Sequence, residues 1–170
     1  RINFINTVKF YLKFLFNLPD KIKKSTLIRT LPNSNLCDLD FFDNIKNNFK
    51  ADNSKNIFKL YKRSKLIIHS INSTSLLETF YLNIPSIIIL NKDYQFNKSG
   101  KKIFNNLKKN NVFFDNPIAA SKFIKKIWNN GIDNWWFSNQ VQRSVNNFNL
   151  TYSKKRTNVI SDLVKLLKNK

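Results

Sequence analysis

The sequence predicts an α/β domain in which a doubly wound parallel sheet of about four or more strands is followed by extra C-terminal helices. Residues 85–90 (PSIIIL) form a near-continuous β-branched run, which is typical of a strand covered on both faces and therefore of a parallel sheet. Candidate strands also alternate with candidate helices along the chain, which indicates βαβ units. The 170 residues, 42% hydrophobic and 14% aromatic, are enough for one folded core.

The individual elements follow from apolar periodicity and from the residues that interrupt it. The first predicted helix, residues 4–18, is amphipathic and ends before a proline. The helix predicted at 117–130 has Pro near its first turn and Gly just past its end, the usual asymmetry. Further predicted helices span residues 56–64, 75–82, 98–109, 133–148 and 153–168, and a loop with a short helix spans 36–50. The predicted strands span residues 25–31, 65–71, 85–90 and 112–115.

The organisation of the chain is predicted from its first residues. We expect residues 1–19 to form an amphipathic linker helix and residues 20–170 to form one domain. The sequence begins with Arg1 and contains no Met, so we expect it to be the C-terminal part of a longer protein. For the first helix, packing on this domain or on a preceding one is favoured, and an interfacial membrane helix with basic flanks is the alternative.

The composition excludes several kinds of site. One Cys and one His exclude an internal disulfide and the Cys-based and multi-His zinc motifs, and two Gly exclude a Gly-rich phosphate loop. We therefore predict no metal site. The formal charge is +20, yet Lys (25 residues) is scattered, Arg (5) is rare, and Asn, Lys and Ile, all with A/T-rich codons, fill 72 of 170 positions. A genomic origin of the charge is favoured, so we expect no specific nucleic-acid partner and keep a basic nucleic-acid-binding module as an alternative.

The best candidate binding site follows the strand predicted at 65–71. In open α/β sheets, ligands bind outside the carboxyl ends of the strands, next to helix N-termini whose N–H groups and dipole favour phosphate. Ser73, Thr74 and Ser75 would add hydroxyl groups to such a site, and Glu78, one turn further, would accept from ribose hydroxyls. Ser75 and Glu78 equally fit a capping box, S-x-x-E, which needs no ligand. Glu78 is the only Glu in the chain, which favours the binding interpretation a little.

Other polar and aromatic residues have two interpretations each. His69 lies inside a predicted strand, where a core or rim histidine is favoured over one that contacts a ligand at the carboxyl end. Lys92 and Asp93 follow the third predicted strand, where a solvated loop is favoured over a sugar contact. Core packing is likewise favoured over stacking on a sugar ring for the three tryptophans, Trp128, Trp135 and Trp136.

Residues 64–90 (SKLIIHSINSTSLLETFYLNIPSIIIL) resemble the C-terminal domain of GT-B-type glycosyltransferases. Those domains carry a strand, a turn of small residues, a helix with Glu, and an N/G-x-P-x-I element entering the next strand, here from Asn83. More closely, residues 4–150 resemble a bacterial family of transferases from surface-polysaccharide gene clusters. Its members share an Arg after an early strand, a T-S-x-L-E-x-x-x-x-N-x-P block, and a Trp-Trp helix followed by Gln; here these are Arg29, residues 74–85, Trp135, Trp136 and Gln142.

The resemblance implies a Rossmann-like, nucleotide-sugar-binding domain at residues 20–170. Thr74 and Ser75, with Ser73 beside them, would meet the diphosphate, and Glu78 would meet the ribose. Arg29 would neutralise phosphate charge as the leaving group departs, and Arg29 and His69 are the candidate catalytic residues. Many GT-B donor loops have Gly where this chain has Ser73 and Thr74, so the phosphate contacts would differ in detail.

The implied enzyme transfers a sugar from a nucleotide-sugar to a cell-surface polysaccharide or a lipid-linked acceptor, with no cofactor besides this donor substrate. The acceptor would bind a missing N-terminal domain, so we expect residues 1–170 alone to be inactive. We expect a cytoplasmic location, and peripheral contact at the inner membrane face is left open. A glycerol-phosphate or sugar-phosphate transferase on the same scaffold is the alternative activity.

Overall fold

The structure, a computed structural model, describes residues 4–29, 49–52 and 56–153. These ranges contain eight helices and five strands. In chain order they are α1 (Phe4–Phe16), α2 (Asp20–Ser25), β1 (Leu27–Arg29), β2 (Lys50–Asp52), α3 (Ile57–Arg63), β3 (Ile67–His69), α4 (Thr74–Tyr81), β4 (Ser86–Ile89), α5 (Lys98–Lys109), β5 (Phe113–Phe114), α6 (Pro117–Asn130), α7 (Ile132–Trp136) and α8 (Asn139–Tyr152).

The strands form two parallel sheets. The larger one has three strands in the order β3-β4-β5, with His69 opposite Ile88 and Ile89 opposite Phe114. In the smaller one, β1 pairs with β2 and Arg29 lies opposite Asp52. The chain is therefore a mixed α/β protein with parallel strands, as the sequence predicts. A single Rossmann-like sheet of four or more strands is not confirmed, since the described residues divide their strands between two sheets.

Helices cover both faces of the three-stranded sheet. Ile88 and Leu90 join one apolar cluster with α4, α5, α7 and α8, while Ile87 and Ile89 join another with α1, α2 and α6. Every residue of β4 is buried, and burying one such aliphatic side chain contributes roughly 1.5–3 kcal/mol. This arrangement confirms the inference from the PSIIIL run that the strand is covered on both sides.

The first helix packs on the sheet, the favoured of its two interpretations. Phe14 of α1 is buried in the second cluster, and the Tyr11 hydroxyl donates to the Ser70 carbonyl oxygen and lies 3.2 Å from the Ile89 carbonyl oxygen. Burial raises the pKa of Tyr11 to about 12. Among the described residues, no helix combines the length and apolarity needed to cross a bilayer. Tyr11 therefore anchors α1 beside the carboxyl ends of β3 and β4.

The observed bounds differ from the predicted ones where the local signals are weak. Helices α5 and α6 have the predicted bounds, and Pro117 and Gly131 take the expected positions at the two ends of α6. The single helix predicted at 133–148 is wrong, because α7 ends at Trp136 and α8 begins only at Asn139. Neither α2 nor β2 was predicted. The predicted helix at 153–168 and most of the segment at 36–50 lie outside the described residues.

Candidate functional site

Three of the predicted site residues meet where β3 ends and α4 begins. Ser73 is the residue before α4, and its Oγ lies 2.8 Å from Ser75 Oγ. Ser75 Oγ in turn lies 3.5 Å from Nδ1 of His69, the last residue of β3. Thr74 is the first residue of α4 and its side chain is exposed. The hydroxyl groups thus lie at the carboxyl edge of the parallel sheet, as the sequence predicts.

The capping-box interpretation of Ser75 and Glu78 is wrong. The N-cap of α4 is Ser73, and its side chain makes no capping hydrogen bond, because its hydroxyl pairs with that of Ser75. Glu78 does not return to the start of the helix either, since its Oε2 accepts a hydrogen bond from the Tyr61 hydroxyl at 2.9 Å. The first N–H groups of α4 are therefore left without a side-chain cap from Ser73, a condition that favours anions.

His69 orients the hydroxyl groups without being charged. The Thr79 hydroxyl lies 3.2 Å from the Leu76 carbonyl oxygen and 2.8 Å from His69 Nε2. In the tautomer with the proton on Nε2, this contact leaves the Nδ1 lone pair directed toward Ser75, 3.5 Å away. His69 is only 5% exposed, and burial lowers its pKa to about 4. A neutral acceptor with this pKa is a weak general base at neutral pH.

Tyr61 joins α3 to the site and was not predicted as part of it. Its hydroxyl donates to Glu78 and interacts electrostatically with Arg29 and Ser75. The pKa of Tyr61 is raised well above its ordinary value, first by burial and then by the hydrogen bond and charge of Glu78, whereas Arg29 and Ser75 act in the opposite direction. Two features of the sequence could have indicated Tyr61. It lies on the apolar face of the predicted helix, and the single Glu of the chain needs a hydrogen-bond donor.

Arg29 lies at the end of β1 and is held by its neighbour in the smaller sheet. Its Nη1 donates to Asp52 Oδ2 at 2.7 Å, and the two residues are opposite each other in the parallel register. The Arg29 side chain remains 30% exposed. Arg29 therefore places a positive group within electrostatic reach of the Tyr61 hydroxyl.

Asn83 connects the T-S-x-L-E-x-x-x-x-N-x-P block, residues 74–85, to the Trp-Trp helix. It has a left-handed backbone, with φ 53°, in the turn from α4 to β4. Its Oδ1 accepts from Trp136 Nε1 at 2.9 Å and from Gln142 Nε2 at 3.1 Å, and Gln142 Nε2 is also 2.9 Å from the Trp136 carbonyl oxygen. Trp136 is fully buried, so its ring packs in the core. Asn tolerates the left-handed region better than most residues. The hydrogen bonds of Asn83 to Trp136 and Gln142 hold the turn that follows α4 in place.

Two tryptophans and one lysine are further candidates from the sequence. Trp128 and Trp135 are partly buried against the second cluster, and the Trp135 indole N–H donates to the Asn110 carbonyl oxygen at 3.3 Å. Lys92 lies three residues after the end of β4 and is exposed. Within the described ranges, no group of three or more His, Cys, Asp or Glu residues is placed to hold a metal ion.

The position of the candidate site in the fold is typical of an α/β protein that binds a ligand. Hydroxyl, imidazole, carboxylate and guanidinium groups gather at the carboxyl ends of parallel strands, where α/β proteins bind their ligands. The chain belongs to a family described as LIC12162 family transferase, whose profile matches residues 1–167. A search of curated proteins and a search of solved structures each found no match. The transferase class expected from the sequence is therefore supported by the family.

Proposed function

We propose that the chain is the donor-binding half of a glycosyltransferase-like enzyme with a Rossmann-like domain of the GT-B kind. It would transfer a sugar from a nucleotide-sugar to a cell-surface polysaccharide or a lipid-linked acceptor. The observation that carries the proposal is the pair of hydroxyl groups, Ser73 and Ser75, at the start of α4 beside the end of β3. Their position and the uncapped helix start suit a diphosphate.

The contacts suggest a role for each residue around the nucleotide. Ser73 and Ser75 would exchange their mutual hydrogen bond for phosphate oxygens, and the exposed Thr74 would add a third hydroxyl. Glu78 would accept from the ribose hydroxyls through Oε1, because Tyr61 holds Oε2. With one oxygen fixed, the carboxylate needs little further ordering when the ribose binds.

Arg29 is the proposed electrostatic catalyst. When the bond to the sugar breaks, negative charge grows on the departing diphosphate, and a guanidinium held in place stabilises that charge without reorganising. The ion pair with Asp52 would supply the fixed position. His69 would act as a positioning residue for Ser75, because its pKa of about 4 keeps it neutral. The acceptor and the catalytic base would come from a preceding domain, at the inner face of the membrane.

The proposal is tested by titrating UDP, GDP, CDP, CMP and ADP into the 170-residue chain by calorimetry, at low and at moderate salt. We expect one nucleoside diphosphate to bind with little dependence on salt. Glu78→Ala and the double variant S73A/S75A should each weaken binding by about 1–3 kcal/mol, the cost of losing a partner of a buried polar group. Ser99→Ala, in the first turn of α5, is the matched control and should leave binding unchanged.

Two other results would contradict the proposal. If every polyanion binds alike and binding falls steeply with salt, counterion release dominates and the basic nucleic-acid-binding alternative is favoured. If a nucleoside monophosphate binds more tightly than its diphosphate, the site suits a glycerol-phosphate or sugar-phosphate transferase, whose leaving group is the monophosphate.

A further inference from the structure

A cavity opens at the same edge of the sheet, beyond β4 and β5. It has a volume of about 340 Å³ and lies between α1 and the residues that follow the two strands. Lys9 and Lys13 of α1 line one side, and Lys92 and Asp115 line the other. We call it the lysine cleft. The hydroxyl cluster at the start of α4 does not line it, so the two sites use different residues.

The lysine cleft carries an excess of positive charge. Among the described residues, no carboxylate forms an ion pair with Lys9, Lys13 or Lys92. Asp115, the carboxylate of the cleft, is bound to Lys108 at 2.6 Å. Lys9 and Lys13 are one helical turn apart, a spacing at which like charges destabilise a helix. An anion in the cleft would offset this repulsion, and an ammonium group is a common ligand of phosphate.

The cleft is built on fixed elements. Tyr11, between the two lysines in sequence, donates a hydrogen bond to the Ser70 carbonyl oxygen just after β3 and so holds α1 on the sheet. The start of α6 forms part of the wall, and Asn116 Oδ1 already accepts from the N–H groups of Ile118 and Ala119, at 3.0 and 3.1 Å. The helix terminus is therefore satisfied, and recognition of an anion would rest on the lysines.

We propose that the lysine cleft binds a phosphate or diphosphate group in a site separate from the nucleotide site. The bound group would belong either to a soluble molecule or to a lipid headgroup. The proposal stands without a nucleotide at α4. Tyr11 of α1 contacts the end of β3, so the lysine cleft and the start of α4 lie at the same edge of the sheet. If the proposed function also holds, this edge carries two phosphate sites.

The test uses the 170-residue chain and two triple variants of equal charge. The cleft variant is K9Q/K13Q/K92Q, and the control variant on the exposed face of α6 is K122Q/K125Q/K126Q. Inorganic pyrophosphate is titrated by calorimetry with and without a saturating nucleoside diphosphate, and circular dichroism checks the fold of each variant. Vesicles of phosphatidylcholine with and without phosphatidic acid present the same group on a lipid.

With a saturating nucleoside diphosphate present to occupy the proposed site at α4, we expect the cleft variant to bind pyrophosphate at least about tenfold more weakly, while the control variant changes less than about twofold, because charge-assisted hydrogen bonds are lost only in the former. Saturating nucleotide should leave pyrophosphate binding in place. A loss of vesicle binding in the cleft variant alone identifies a lipid source, and a loss confined to pyrophosphate identifies a soluble one.

Three results would overturn the proposal: absence of pyrophosphate binding to the unchanged chain, an equal loss in both triple variants, or full competition by the nucleotide. The outcome is independent of the donor site, which S73A/S75A and Glu78→Ala report. Loss of pyrophosphate binding in the cleft variant would support the lysine cleft even if no nucleotide bound at α4.

Discussion

The hydrogen bond from Tyr61 to Glu78 ties α3 to α4, and its removal has a calculable effect. Tyr61→Phe deletes only the hydroxyl, which lies 2.9 Å from Glu78 Oε2. A hydrogen bond to a charged group contributes roughly 1.5–3 kcal/mol to stability. Tyr61 is 5% exposed, whereas Glu78 is half-buried and would recruit water in the variant. We therefore expect a loss near the lower end, about 1.5 kcal/mol.

The assay is a double-mutant cycle of urea unfolding with Tyr61→Phe, Glu78→Ala and the double variant. The expected coupling energy is about 1.5 kcal/mol, against the roughly 0.3–0.5 kcal/mol by which independent sites depart from additivity. Tyr81→Phe is the control, since Tyr81 is 48% exposed on α4, the helix of Glu78, and the free energy of unfolding of this variant should change by less than about 0.5 kcal/mol. A coupling energy within the additivity error would refute the inferred contact.

Two further predictions concern stability. His69 is the only His, so its ring signal can be followed by NMR without ambiguity, and we expect a midpoint near pH 4. Because the pKa of His69 is depressed in the folded state, the unfolded chain binds the proton more readily than the folded chain below about pH 6.5. The free energy of unfolding should therefore fall as the pH is lowered from there toward 4, by up to roughly 1.4 kcal/mol per pH unit. His69→Gln should remove that slope. A midpoint near 6.5 would show that the ring is not buried. Asn83→Ala should be less stable than Asn83→Gly by about 1 kcal/mol in urea unfolding, because of these two replacements only Gly adopts φ 53° without strain. Equal stability of the two variants would argue against the left-handed turn.

Local signals in the sequence predicted those parts of the fold that depend on neighbouring residues. The bounds of α6 follow from Asn116, Pro117 and Gly131, which act within one turn of the helix ends. The buried strand β4 follows from its own apolar run. The break between α7 and α8 was missed because Ser138 adopts an extended backbone, with φ −63° and ψ 145°, inside a pattern that is otherwise helical.

The candidate site likewise combines features that the local sequence predicts with contacts that it does not predict. Ser73 and Ser75 were predicted at the site from the strand-to-helix turn alone, whereas a core or rim position was favoured for His69, whose ring lies beside Ser75. The partner of Glu78 is 17 residues away, on another helix. That of Arg29 is 23 residues away, on a strand too short to leave a periodic pattern. Such pairs depend on how the elements pack, which no local pattern specifies.

The claim that a nucleoside diphosphate binds at the start of α4 is tested most directly through His69. Its Nδ1 faces Ser75, so a phosphate bound to the hydroxyl cluster should change the ring environment. We predict that titration with UDP, GDP, CDP or ADP shifts the single imidazole signal to saturation for one of them. The S73A/S75A variant should weaken that binding by about tenfold. A nucleotide that binds while the His69 signal stays unmoved, and with equal affinity in the variant, would contradict the account.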